Sequence, residues 1–186
     1  HELTINGKTY RECSSHVIYY ITKSSRSSLH SLVDRGANGG VAGSDVRVIE
    51  TDPIRKVDIR GIDNHEITAI PLVTAGGVTS TITGEVIVIM HQHACHGKNK
   101  TIHSSPQIEH YKNVVDDRSI KVGGGQHITT VDKYKIPMSI RGALPYMPLR
   151  PYTDKEWETL PHVVLTSDED WDPTCLDCEG QLDNEE

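Results

Sequence analysis

Phenylalanine is missing from this 186-residue chain, and tryptophan and tyrosine together bring the aromatic fraction only to 5%. A core without large rings rests on Val, Ile and Leu, whose branching favours strands. No apolar run approaches membrane-spanning length; the densest, Val86-Ile87-Val88-Ile89-Met90, suits one buried strand. Cysteine is sparse and scattered, at Cys13, Cys95, Cys175 and Cys178, which argues against a disulfide framework and for a reducing compartment. Gly123-Gly124-Gly125 lacks both Gly-x-Gly-x-x-Gly spacing and a Gly-Lys-Ser/Thr ending, so it reads as a turn and not as a phosphate cradle. Ser14-Ser15-His16 and the Ser-rich run 24–28 have no Gly-x-Ser-x-Gly elbow and read as polar turns. No signal peptide is visible, and the start at His1 is expected for a piece of a longer product.

Charge is unevenly placed. Residues 151–186 carry twelve acids and one lysine, a net of −11, against +4 over residues 1–150. The expected organisation is a β-domain over 1–150, followed by a short helix and a solvated acidic tail over 151–186. The positive excess of the body is too small to argue for nucleic-acid binding.

The body reads as strands. Residues 16–22 (HVIYYIT) are β-branched and aromatic, and 45–50 (DVRVIE) alternate with period two. Residues 57–61 and 66–73 flank Ile62-Asp63-Asn64-His65, a hairpin tip. Gly76-Gly77 is expected to mark a turn before 78–82, and Thr83-Gly84 another before 85–90. Short strands are expected at 119–122, 126–131 and 135–140. Pro106 with Ser104 or Ser105 as cap opens a short helix at 106–111. Thr153 and Glu156 form a capping box for a second helix near 154–160, and Trp171 is a possible anchor for the acidic end. The expected fold class is all-β, a closed barrel or sandwich with one short helix in the body and an acidic C-terminal extension.

The motif that carries chemistry is Asp34-Arg35-Gly36-Ala37, which follows Leu32-Val33 and precedes Asn38-Gly39-Gly40. A strand ending in Asp-x-Gly-Ala puts one carboxylate on a sharp turn that other backbone can approach closely. Two such carboxylates sharing a proton can activate a water and polarise a peptide carbonyl. The chain holds one Asp-x-Gly, so a complete dyad needs a second copy across a two-fold axis.

Over residues 16–165 the chain resembles the retropepsin-like aspartic proteases of copia-type retrotransposon polyproteins, with the diatom elements nearest. Residues 32–40 resemble the protease signature, 57–73 fall where that fold places its flap, and 100–108 fall at its strand-to-helix step. The resemblance implies a retropepsin-like closed barrel acting intracellularly, in the cytoplasm or a virus-like particle, as a homodimer on an extended peptide, with no cofactor. Asp34 would be catalytic, Arg35, Gly36 and Ala37 would form the active-site turn, and Gly61, Ile62 and Asp63 the flap tip. Arg35 departs from the family's Ser or Thr, whose hydroxyl braces the two turns across the dimer; a guanidinium is longer and only donates. Turned outward it leaves the site usable. Turned inward it disables the dyad, and the chain becomes a catalytically silent structural or interaction module.

Two other clusters carry candidate ligands. Strand alternation would put His91, His93 and Cys95 on one face, with His103 and His110 further on, but the spacing matches no zinc motif. Cys175-Leu176-Asp177-Cys178 has no partner pair. Neither is assigned a metal.

Overall fold

A computed structural model describes residues 2–6, 8–11, 17–21, 30–61 and 66–179. The hairpin tip at 62–65, with the flap residues Ile62 and Asp63, lies outside the described residues, as do Cys13, Ser14-Ser15-His16 and the run 24–28. The protein is mostly β, with 52% strand and 13% helix. In chain order the elements begin with β1 (Glu2–Ile5) and β2 (Lys8–Arg11), an antiparallel ribbon of their own. Then come β3 (Val17–Ile21), β4 (Ser31–Asp34), β5 (Val41–Ala42), β6 (Arg47–Gly61), β7 (Glu66–Thr81), β8 (Gly84–Cys95) and β9 (Ile102–Ser104). After α1 (Ser105–His110) follow β10 (Val114–Asp116), β11 (His127–Thr129), β12 (Lys135–Pro137), β13 (Ser139–Arg141) and β14 (Leu144–Met147). Last are α2 (Asp154–Thr159) and β15 (His162–Thr166).

Ten strands form one mixed sheet in the order β13-β14-β4-β9-β5-β8-β7-β6-β3, with β15 attached to β8. The expected closed barrel is not found among the described residues. The path runs open from β13 to β3, and it branches at β8. One edge of β8 faces β7; the other is shared by β15, parallel along 87–90, and β5, parallel along 94–95. β10, β11 and β12 make a separate three-stranded antiparallel sheet.

The long β6–β7 and β7–β8 hairpins organise this sheet. Thr81 pairs with Gly84 around a two-residue turn, as Thr83-Gly84 predicts. The Gly76-Gly77 turn does not form: both glycines lie inside β7. A Cβ on Gly77 would stand 2.7 Å from Leu149 Cδ1 and 3.2 Å from the Arg150 carbonyl oxygen. Gly77 therefore serves close packing of the chain leaving β14, and Val78 exchanges backbone hydrogen bonds with Arg150 there. The strand expected at 119–122 is instead a 3-10 turn, Ile120–Val122, capped by Ser119 and closed by Gly123 at φ 85°. The strand expected at 135–140 divides at Met138 into β12 and β13, and the Met138 amide donates to the Gln126 carbonyl, one position beyond the His127–Pro137 pair.

Both helices form where their caps place them. Ser104 Oγ accepts from Gln107 N to start α1, and the Thr153–Glu156 box starts α2. The main core joins Val33, Val88, Met90, Ile108, Ile128, Ile136, Met147 and Leu165. A second cluster joins Tyr19, Ala37, Val41, Leu72, Ala94, Ile102 and Trp171. Trp171 is 4% exposed and thus anchors the acidic end to the body. Among the described residues no helix is long and apolar enough to cross a membrane.

Replacing Gly77 by Ala is expected to cost about 1–3 kcal/mol, the usual range for overpacking a filled core. Urea unfolding of the two chains measures it; an unchanged midpoint would show that Leu149 yields freely.

Candidate functional site

Asp34 closes β4, a strand buried along its whole length. β4 lies parallel to β9, with Leu32 opposite Ile102, Val33 opposite His103 and Asp34 opposite Ser104. Beyond Asp34 the chain turns at once. Gly36 N donates to Asp34 Oδ1 at 2.8 Å, and Ala37 N donates to the Asp34 carbonyl at 3.3 Å. The carboxylate is thus oriented by its own turn, and Asp34 is only 8% exposed.

The turn is tied down from α1. Ser104 Oγ donates to the Ala37 carbonyl at 2.7 Å while accepting from Gln107 N. Gln107 Oε1 accepts from Gly40 N at 2.9 Å, and its amide donates to the His91 and Gln92 carbonyls. One serine and one glutamine therefore connect the Asp34 turn, the first turn of α1 and β8. The glycines between are required by contact: a Cβ on Gly39 would lie 2.5 Å from the Tyr19 ring, and one on Gly40 2.3 Å from His93 Nε2.

Arg35 turns outward. Its Nη1 and Nη2 donate to the two carboxylate oxygens of Glu109 at 2.8 and 3.2 Å, and Nε donates to Asp117 Oδ2 at 3.0 Å. These hydrogen bonds, Glu109 first, hold the guanidinium pKa above its ordinary value. The side chain is half exposed, so the clamp contributes on the order of 1 kcal/mol or less per pair. Its geometric effect is larger: it fixes the second residue of the motif to α1 and to the segment after β10.

The remaining sequence candidates separate. Gly61 ends β6 and pairs with Ile21 of β3. Arg60 lies opposite Glu66, so β6 and β7 are the two arms leading to the tip at 62–65. His91, His93 and Cys95 do not share a face. Gln92 sits at φ 58°, and the register shift opposite Val73–Ala75 inserts an extra residue into β8. This bulge breaks the alternation. His91 turns to Thr74 Oγ1 at 2.9 Å, while His93 is buried beneath Gly40. Among the described residues no group of three or more His, Cys, Asp or Glu side chains is arranged to hold a metal. Cys175 and Cys178 are exposed free thiols.

Sequence reasoning missed Glu109, Asp117 and Gln107 as partners of the motif, because contacts spanning 67–82 positions leave no local pattern. It also missed a buried histidine pair. His93 and His103 are each at most 1% exposed, with ring centroids 6.4 Å apart in a T-shaped arrangement. His93 Nδ1 bonds the His91 carbonyl, so that nitrogen carries the proton. Ser31 Oγ donates to the Met147 carbonyl and therefore accepts from His103 Nε2. The other nitrogen of each ring, His93 Nε2 and His103 Nδ1, is buried without a hydrogen-bond partner among the described residues. Burial lowers His93 to about 4 and His103 to about 3.

Comparison of the chain with protein families, with curated proteins and with solved structures returns no match.

Both imidazoles take up protons more readily unfolded, near pH 6.5, than folded. Their contribution to stability is therefore complete above about pH 6.5 and is lost as pH falls from there towards about 4 for His93 and about 3 for His103, by up to about 1.4 kcal/mol per pH unit for each ring. Denaturant unfolding at pH 7.5, 6.0 and 5.0 is expected to show this decline. His103→Gln is expected to flatten it; an unaltered slope would place the titrating groups elsewhere.

Proposed function

We propose that this chain is one half of a retropepsin-like aspartic endopeptidase that processes a retrotransposon polyprotein and is complete only as a homodimer. The observation that carries this reading is the Asp34 turn. A buried carboxylate is held by the Gly36 amide at the end of a strand that lies parallel to β9, and β9 runs directly into α1. The long β6–β7 hairpin, whose tip was read from the sequence as a flap, supports the same reading.

In such a dimer the two Asp34 carboxyls share one proton. The ionised member draws a proton from water as that water attacks the scissile carbonyl, and the protonated member donates to the developing oxyanion. An extended peptide would add as a strand, with main-chain hydrogen bonds giving affinity and side-chain pockets giving selectivity. Arg35, with Glu109 and Asp117 neutralising it, replaces the usual cross-dimer hydroxyl brace by a clamp within one chain.

A second reading keeps the architecture without the activity. Arg35 cannot accept a hydrogen bond, so no brace of the usual kind joins the two turns, and the module would serve only as an interaction domain.

Incubation with an unfolded protein substrate at mildly acidic pH is expected to give cleavage that a pepstatin-type inhibitor suppresses. Asp34→Asn is expected to lower it by at least about 10³-fold, a typical cost of removing an essential catalytic group. Cleavage indifferent to Asp34→Asn removes the catalytic assignment. If Arg35→Ser alone creates activity in an otherwise inert protein, the silent reading holds for the natural chain.

The same substitution is expected to weaken the clamp modestly, by about 1 kcal/mol in denaturant unfolding. A loss of several kcal/mol would give Arg35 a larger part in the fold.

A further inference from the structure

The segment after β15 returns to the Asp34 turn. Trp171 is buried in the cluster that contains Ala37, the last residue of the motif. Its indole Nε1 donates to the Asn38 carbonyl at 2.8 Å, on the chain leaving the turn. On its other side the same segment is gripped from the β6–β7 arm. Arg55 Nη2 donates to the Trp171 carbonyl at 3.3 Å, and Nη1 approaches Asp170 Oδ1 at 3.3 Å and Gln92 Oε1 at 2.6 Å. Gln92 Oε1 also accepts from Trp171 N at 3.4 Å, and the His110 ring lies 5.3 Å from the indole.

Arg55 is aimed by a built feature of β6. Asp52 Oδ1 accepts from both Ile54 N and Arg55 N, and the β6–β7 register shifts between Thr51 and Lys56. The segment thus bridges β6, the arm that leads to the expected flap, and the residues next to Asp34. It meets them with one indole for an apolar pocket and a carbonyl acceptor, and one carboxylate for a guanidinium.

We propose that Asp170-Trp171 is a tethered plug, an intramolecular ligand seated between the β6 arm and the Asp34 turn, that lifts when an extended peptide enters the half-site. The proposal rests on the peptidase reading, since that reading places the peptide between hairpin and turn. A plug that is closed about nine-tenths of the time reduces apparent peptide affinity about tenfold.

The test uses the full chain and a fluorescently labelled pepstatin-type peptide, in a Trp157→Phe background that leaves Trp171 as the sole tryptophan. Binding is expected to move Trp171 emission to longer wavelength as the indole leaves its pocket. Trp171→Ala is expected to bind the peptide about tenfold more tightly. Arg55→Gln, which keeps the indole pocket, is expected to change affinity in the same direction by a smaller factor and serves if the alanine variant does not fold. Peptide binding that Asp34→Asn abolishes, but that leaves Trp171 emission unmoved or is not strengthened by either substitution, overturns the plug and spares the peptidase. Failure of every version of the chain to bind overturns both.

Discussion

The hydrogen bond from Ser104 Oγ to the Ala37 carbonyl is the junction on which the site depends. Its donor is also the cap of α1, so one hydroxyl fixes where a helix starts and where the Asp34 turn ends. The bond is possible only because β4 and β9 run parallel with Asp34 opposite Ser104. That pairing lies inside the protein, since β4 and β9 are buried along their whole lengths and Leu32, Val33 and Ile102 all belong to the core. Gln107 extends the junction to Gly40 and to β8, so a displacement of α1 would disturb the turn, the glycine pair and the central strand together.

Around this junction the charge of Arg35 is directed away from the turn. Arg35 is covalently next to Asp34, yet its guanidinium is spent on Glu109 and Asp117. A neighbouring cation left without such partners would favour the ionised carboxyl and work against a shared proton. Glu109 and Asp117 thus hold the arginine away from the turn. The exchange has a directional consequence: the brace works within one chain and contributes nothing across a two-fold axis, so cohesion of a dimer would have to come from other surfaces.

The parts of the fold that were legible are those set by neighbours in sequence. Ser104 with Pro106, and Thr153 with Glu156, place both helices because a cap acts over three residues. The turn at Thr83-Gly84 was legible for the same reason. Gly76-Gly77 misled because glycine has two uses, turning and yielding space, and only the position of Leu149 distinguishes them. The bulge at Gln92 was invisible, since a non-glycine residue at positive φ has no signature, and with it went the expected common face of His91, His93 and Cys95. β15 was missed because residues 162–166 become a strand only by pairing with β8, which lies far away in sequence. The turn that follows Asp34 was readable from the glycine at Gly36; the direction of Arg35 was not, because it is decided by acids 74 and 82 positions away.

The buried histidines set a limit on how such a site can work. A carboxyl pair that must retain one proton favours acidic conditions, as proton retention weakens when pH rises. Two neutral imidazoles in the wall behind the turn favour the opposite, because protonating either would leave a charge buried among Gly40, Ser31 and the other ring with no carboxylate among the groups that set their ionisation. His103 lies opposite Val33 and bonds Ser31 on the strand that carries Asp34, and His93 lies under the glycine that Gln107 holds. In the proposed dimer, acid that served the carboxyl pair would therefore loosen its support. The two demands are compatible only if the carboxyl pair holds its proton up to a pH at which the imidazoles are still uncharged. That requires the two Asp34 side chains to be close enough, and dry enough, for their mutual repulsion to raise the pair's upper ionisation. A dimer that merely brought the two turns near each other would not meet both demands at one pH.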